Sequence, residues 1–108
     1  MAKLVHSLSG DFNTILSKIT NGILTGSMSA SLEESWDAKG DTSRCAVRVF
    51  ERYSWTGENR VSMSVTLYQE NGGPVRLCAV TSGGSQALFF KVNTFGEEAF
   101  MDTLREIL

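Results

Sequence analysis

The stretch that decides the fold reads Val61-Ser62-Met63-Ser64-Val65-Thr66-Leu67-Tyr68, in which apolar side chains alternate with hydroxyl-bearing ones. Successive side chains of a β-strand point to opposite faces of the sheet, so this alternation predicts a strand with one apolar and one polar face. Antiparallel sheets commonly pack one face on the core and leave the other to water. The sequence therefore predicts an antiparallel sheet around residues 61 to 68.

The residues before this strand alternate as well, from Arg44 to Trp55. Odd-numbered positions carry most of the apolar side chains, and the even-numbered positions carry arginines. Matching the two apolar faces pairs Trp55 with Val61 and Tyr53 with Met63, which requires an odd-length connection with Gly57 at positive φ. This register predicts that the helices pack on the sheet face bearing Val47, Val49, Met63, Val65, Leu77 and Phe90.

Two segments show the apolar spacing of amphipathic helices. The first covers residues 9 to 25, and its stripe consists of Phe12, Ile15, Leu16, Ile19 and Ile23. We expect Ser9 to cap this helix, Asp11 to suit its positive end and Gly26 to end it. The second covers residues 95 to 108 and starts at a capping-box pattern, Thr94-Phe95-Gly96-Glu97. Its stripe consists of Phe100, Met101, Leu104, Ile107 and Leu108.

The remaining segments predict strands at residues 3 to 8, 27 to 37, 75 to 82 and 87 to 92. A loop covers residues 37 to 41, and Asn71-Gly72-Gly73-Pro74 forms a turn. A Gly83-Gly84 hairpin would align Leu77 with Phe90. The order β-α-β-β-β-β-β-α predicts an α+β two-layer sandwich in a single domain, residues 1 to 108. Its mostly antiparallel sheet has about five or six strands, with the N-terminal and C-terminal helices on one face.

Composition and charge argue against several functional classes. The chain has 108 residues, 42% hydrophobic and 20% charged, with a net charge of −2 that gives no general attraction to nucleic acid or anionic lipid. No apolar run approaches the length of a membrane span or signal peptide, so we expect a cytoplasmic protein without membrane attachment. We expect no cofactor and no catalytic residue.

The residues that most often bind metal are sparse and scattered. His6 is the single histidine, and we interpret it as a structural or surface residue. Parity places Cys45 and Cys78 on opposite faces of the sheet, with the strand at residues 61 to 68 between them. We therefore expect free thiols rather than a disulfide, and no metal site.

Three runs of sequence resemble a bacterial protein family of about this length. They are Ser29-Ala30-Ser31-Leu32-Glu33, the stretch from Arg44 to Ser54, and Thr81-Ser82-Gly83-Gly84-Ser85-Gln86-Ala87 followed by Phe90-Lys91-Val92-Asn93-Thr94. That family is catalogued only as a domain of unknown function. The resemblance covers essentially the whole chain and implies a bacterial, soluble, single-domain protein, but it implies no activity.

The polar face of the predicted sheet is the first candidate site. It combines arginines, serines and aromatic side chains, and exposed apolar patches tend to mark interfaces. A solvated face and a nucleic-acid surface are the alternatives, the latter disfavoured by the acidic total. We predict a non-enzymatic interaction domain that forms homo-oligomers through this face, with contacts from Arg48, Phe50, Arg52, Tyr68 and Phe89.

A cleft between sheet and helices is the second candidate, as the site of a small-molecule binding protein or enzyme. Glu51 is the one acidic residue on the predicted apolar face, and Tyr53 and Trp55 follow it there. The Ser82-Gly83-Gly84-Ser85-Gln86 run reads as a hairpin turn rather than a phosphate loop, because no helix or Lys-Ser/Thr pair follows it. Its polar side chains still predict ligand contacts at Ser82, Ser85 and Gln86.

Overall fold

The computed structural model describes residues 1–53, 60–83 and 90–108. Its elements are, in chain order, β1 (Ala2–Leu8), α1 (Phe12–Gly26), β2 (Ser31–Lys39), β3 (Ser43–Tyr53), β4 (Arg60–Glu70), β5 (Val75–Gly83) and α2 (Phe90–Ile107). The strands form a five-stranded antiparallel sheet in the order β1-β5-β4-β3-β2. The predicted α+β architecture, with an antiparallel sheet and a helix near each end of the chain, is confirmed.

The core lies between the helices and one face of the sheet. From β4 it takes Val61, Met63, Val65 and Leu67, each at most 2% exposed. The helices contribute buried residues at helical spacing, Ile19 and Ile23 from α1 and Phe100, Met101 and Leu104 from α2. The predicted apolar stripes of both helices therefore face the core. Each fully buried side chain of this size contributes roughly 1.5–3 kcal/mol to folding.

The first turn of α1 is capped by Asp11 rather than by the predicted Ser9. The Asp11 Oδ2 atom accepts a hydrogen bond from the Thr14 backbone nitrogen at 2.9 Å and another from the Thr14 hydroxyl at 3.0 Å. These bonds, with a smaller contribution from the charge of Arg44, lower the pKa of the Asp11 carboxyl. Asp11 therefore favours the helix most strongly in its ionised form.

The two helices pack closely at Gly22 of α1. A Cβ atom at this position would lie 2.5 Å from Cδ1 of Ile107 and 2.7 Å from its Cγ1. Since real Cβ contacts are essentially never this short, any larger residue would push Ile107 out of place. The glycine that weakens the helix in isolation is needed for the contact between helices.

The second helix begins at Phe90, so the predicted strand at residues 87 to 92 is wrong where it overlaps the helix, and residues 84–89 lie outside the described part. The predicted capping box is also wrong, because Glu97 lies inside the helix. The buried Glu97 carboxylate accepts hydrogen bonds from the Gly83 backbone nitrogen at 3.1 Å and from the Met1 amino group at 2.8 Å. It therefore links α2 to β5 and β1.

The connections of the sheet follow from local turn chemistry. Asn71 and Gly72 both have positive φ, 54° and 67°, as a tight hairpin turn of the predicted kind requires. The strand predicted at residues 27 to 37 instead covers Ser31–Lys39, and its register shifts between Leu32 and Glu34. This bulge places one extra residue in β2 and keeps the rest of the strand paired with β3.

Candidate interaction surface

The sheet has one face under the helices and one that no described element covers. We call the second the open face. Its central positions pair laterally across the strands, which fixes their shared side because directly opposed residues of an antiparallel pair project from the same face. They are Lys3 and Val5 of β1, Val80 and Cys78 of β5, Ser64 and Thr66 of β4, Val49 and Val47 of β3, and Glu34 and Trp36 of β2.

The predicted faces of β3 are reversed. Phe50 lies opposite Met63, and Tyr53 lies opposite Arg60 instead of Met63. Every odd-numbered residue of β3 thus shares a face with an even-numbered residue of β4. Phe50 is completely buried in the core, so its predicted place in an interface is wrong. Arg48 and Arg52 are partly buried and share the face of Phe50, so they lie on the helix-covered side of the sheet rather than on the predicted polar face.

The arginines of β3 explain the reversal. The Arg44 guanidinium lies 4.4 Å from the centroid of the Phe12 ring, and that of Arg52 lies 4.8 Å from the Phe100 centroid. Arg48 forms an ion pair with Asp37 of β2 at 3.0 Å. Long side chains of this type cover apolar surface with their stems and keep the charged group at the edge. A helix-covered strand can therefore look polar in sequence.

Arg52 connects three elements. Besides stacking on Phe100 of α2, it donates hydrogen bonds to the Ser27 hydroxyl at 3.3 Å and to the Gly96 carbonyl at 3.4 Å. Burial lowers the pKa of its guanidinium. The sequence predicted Arg52 as an interface residue, whereas the contacts it makes in the structure join elements of the same chain.

Large apolar side chains remain exposed on the open face. Val5 is 65% exposed at one edge of the sheet and Trp36 is 60% exposed at the other. Pairing places them in one row, which runs across all five strands as Val5, Cys78, Thr66, Val47 and Trp36. Sequence reasoning missed this row because it put Val47 in the core. If the connection between β3 and β4 had been taken to have an even number of residues, Val47 would have been assigned to the open face.

Glu51 and Tyr53 also lie on the open face, directed away from the helices. A cleft beneath the helices therefore cannot include them, and that predicted location is wrong. The Arg60 guanidinium forms an ion pair with Glu51 at 3.2 Å and lies 5.0 Å from the centroid of the Tyr53 ring. The hydrogen bond with Tyr53 and the charge of Glu51 raise the pKa of Arg60. Trp55, the third predicted residue, lies outside the described part.

Two further predicted site residues lie on the open face, far apart. Tyr68 is partly exposed, and its hydroxyl donates a hydrogen bond to Glu70 at 3.0 Å, which raises the pKa of the phenol. Ser82 lies opposite Ser62, with 3.1 Å between the two hydroxyl oxygens. The remaining predicted residues, Ser85, Gln86 and Phe89, lie outside the described residues.

Both cysteines lie on the open face, which corrects their predicted placement on opposite faces. Cys45 is opposite Tyr68 and Cys78 is opposite Thr66, so strand β4 separates them as predicted. Both are free thiols and partly exposed. In the part of the chain that the structure covers, no group of three His, Cys, Asp or Glu side chains could hold a metal ion.

Neither described helix combines the length and the apolar character needed to cross a membrane. No curated protein and no solved structure matches the chain. A family model described as "Family of unknown function (DUF6054)" matches residues 1–108. Because that match covers every residue, the chain belongs to this family of unknown function.

Proposed function

We propose that this protein is a non-enzymatic interaction domain that self-associates through its open face. The row of Val5, Cys78, Thr66, Val47 and Trp36 carries the proposal, because Val5 and Trp36 are exposed at its two ends and the three residues between them are only partly buried. Antiparallel sheets with one solvated face normally place polar residues there. Exposed apolar side chains on such a face favour contact with another protein surface.

The area of the open face supports the proposal. Five strands about 4.8 Å apart, taken over the 7-residue length of the shortest strand, β1, at a rise of ~3.3 Å, span about 24 by 23 Å. That is about 550 Å² in projection, and side-chain relief increases the accessible area toward the ~800 Å² per partner of a standard interface. A second copy offers an equal surface of the same character. Closed two-fold dimers are also the commonest soluble oligomers.

The proposed setting is the bacterial cytoplasm. Cys45 and Cys78 are both free thiols, a state that reducing compartments maintain.

Light scattering coupled to gel filtration tests the proposal. At micromolar concentrations the wild type should have about twice the 11.8 kDa mass of one chain. Val47→Glu would place an uncompensated charge in the middle of the contact, so it should yield folded monomers. Ser17→Glu on the exposed surface of α1 is the control and should leave the dimer intact. A monomeric wild type at high concentration, or a dimer unaffected by Val47→Glu, contradicts the proposal.

A further inference from the structure

The charges of the open face are distributed unevenly between its two sides. Lys3 of β1 and Glu34 of β2 occupy opposite ends of one lateral row, whose inner members are Val80, Ser64 and Val49. Strand β4 lies at the centre of the sheet, two strands from each end of the row. This row therefore has a basic end and an acidic end, equally distant from the middle of the sheet.

Lys3 and Glu34 both project without an ion-pair partner among the described residues. Both side chains are exposed. Two other acidic residues lie on this face: Glu51 forms an ion pair with Arg60, and Glu70 accepts a hydrogen bond from the Tyr68 hydroxyl. The charges of Lys3 and Glu34 are thus available to a second molecule.

Symmetry limits how two open faces can meet. Two copies stacked face to face are related by a two-fold axis that lies in the plane between the sheets. An axis along β4 reverses the strand order of the second copy, so β1 of each copy lies over β2 of the other. An axis across the strands instead keeps each strand over its own equivalent.

The two arrangements have opposite electrostatic consequences. With the axis along β4, Lys3 lies over Glu34 of the second copy, and the same pair recurs by symmetry. With the axis across the strands, both basic ends lie on one side and both acidic ends on the other. Like charges brought together disfavour the second arrangement, whereas opposite charges fix the register of the first.

The apolar row agrees with the same axis. The axis along β4 would place Val5 over Trp36 of the second copy, and Cys78 over Val47. The largest side chain of the row, Trp36, would thus meet a smaller one. Aligned sheets cross at about 30°, which offsets contacts two strands from the axis by about 5 Å. Lysine and glutamate side chains are long enough to span that offset.

We infer that the protein forms a two-fold dimer whose axis runs along β4, with Lys3 of each copy paired with Glu34 of the other. The inference rests on the proposed self-association and adds its register. It identifies the partner as a second copy of this chain in one orientation, with two equivalent ion pairs at the edges of the contact. Any partner surface without this charge order would lack both pairs.

Charge reversal tests the register. The dissociation constants of the wild type, Lys3→Glu, Glu34→Lys and the double variant are measured by sedimentation equilibrium at about 50 mM salt, where surface charges are weakly screened. Each single reversal creates two repulsive contacts and should raise the dissociation constant about tenfold. The double variant restores both pairs and should return to within about threefold of wild type. Lys18→Glu on α1 controls for the change in net charge and should have no effect.

The outcomes separate the two proposals. If the wild type dimerises while the single reversals have no effect, or if the double variant is weaker than either single one, the register is wrong and self-association stands. If the wild type is monomeric throughout the concentration series, both are wrong. Circular dichroism of each variant checks that the sheet remains folded.

Discussion

The Arg52 guanidinium lies 4.8 Å from the centroid of the Phe100 ring, a contact that joins β3 to α2. Phe100 is fully buried, so the Arg52 guanidinium lies at the edge of the core. The apolar stem of Arg52 covers part of the core surface. Arginine stacks on aromatic faces through its planar guanidinium, an interaction that a lysine ammonium cannot reproduce in the same geometry.

We expect Arg52→Ala to lower the free energy of unfolding by about 1–2 kcal/mol, because it removes a partly desolvated cation–π contact and two hydrogen bonds. Arg52→Lys should recover less than half of that loss. Urea denaturation of the three proteins provides the measurement. Arg105→Ala is the control, because Arg105 forms ion pairs on the exposed side of α2 and should have a much smaller effect. Equal stability of wild type and Arg52→Ala would show that the contact is not structural.

The effect of Gly22→Ala on the melting temperature should change sign with the residue at position 107. In an open helix Gly→Ala stabilises by about 1 kcal/mol, but here the new methyl group would overlap Ile107. Gly22→Ala should therefore lower the melting temperature of the wild type. In an Ile107→Ala background the space is free, and the same substitution should raise it. A stabilising Gly22→Ala in the wild type would mean that the helices do not meet at this point.

The contribution of Asp11 to the stability of the folded protein depends on pH. The pKa of its carboxyl is lowered from 3.8 in the folded protein, so the ionised form stabilises the fold above that pH. The stabilisation is lost as the pH falls through the lower folded-state value. Asp11→Asn keeps a capping side chain without the charge. The wild type should exceed this variant in stability near neutral pH, and the difference should shrink on acidification. A difference that stays constant from pH 7 to about 2 would contradict this account of the cap.

Trp36 should matter for association and hardly for folding. With 60% of its surface exposed in one chain, its truncation removes little internal packing. We expect Trp36→Ala to raise the dimer dissociation constant at least tenfold, about 1.4 kcal/mol, because interface tryptophans often dominate binding energy. The unfolding free energy of the monomer should change by less than about 1 kcal/mol. Met28→Ala is the matched control, since Met28 is fully exposed and lies outside the sheet. Equal effects on dissociation from both substitutions would argue against the open face.

The regular elements could be predicted from sequence because their patterns are local. The alternation of residues 61 to 68 and the apolar stripes that include Ile23 and Leu104 each depend on one element alone. The face of β3 could not be predicted in this way, because it depends on its register with β4 and on arginine side chains that cross between layers. The observed register differs from the predicted one by three residues, and because this number is odd, Phe50 faces the core and Val47 the open face.

The strand predicted at residues 87 to 92 failed for a related reason. Short apolar runs do not distinguish strand from helix by themselves, and the glycine pair before this one favoured a hairpin. The role of Glu97 was equally hidden, because its partners Gly83 and Met1 are distant in sequence. Long-range hydrogen bonds of this kind leave no local pattern.

The proposed burial of the open face between two copies can be measured by hydroxyl-radical footprinting over a concentration series, with mass spectrometry of the oxidised peptides. Trp36 reports on the open face, and the fully exposed Met28 serves as an internal reference in the same molecule. Because both side chains are reactive and exposed in one chain, their oxidation rates should be high at low nanomolar concentration. The account predicts that Trp36 becomes protected severalfold as the concentration rises into the micromolar range, while Met28 does not change. A ratio of the two rates that stays constant across the series would contradict it.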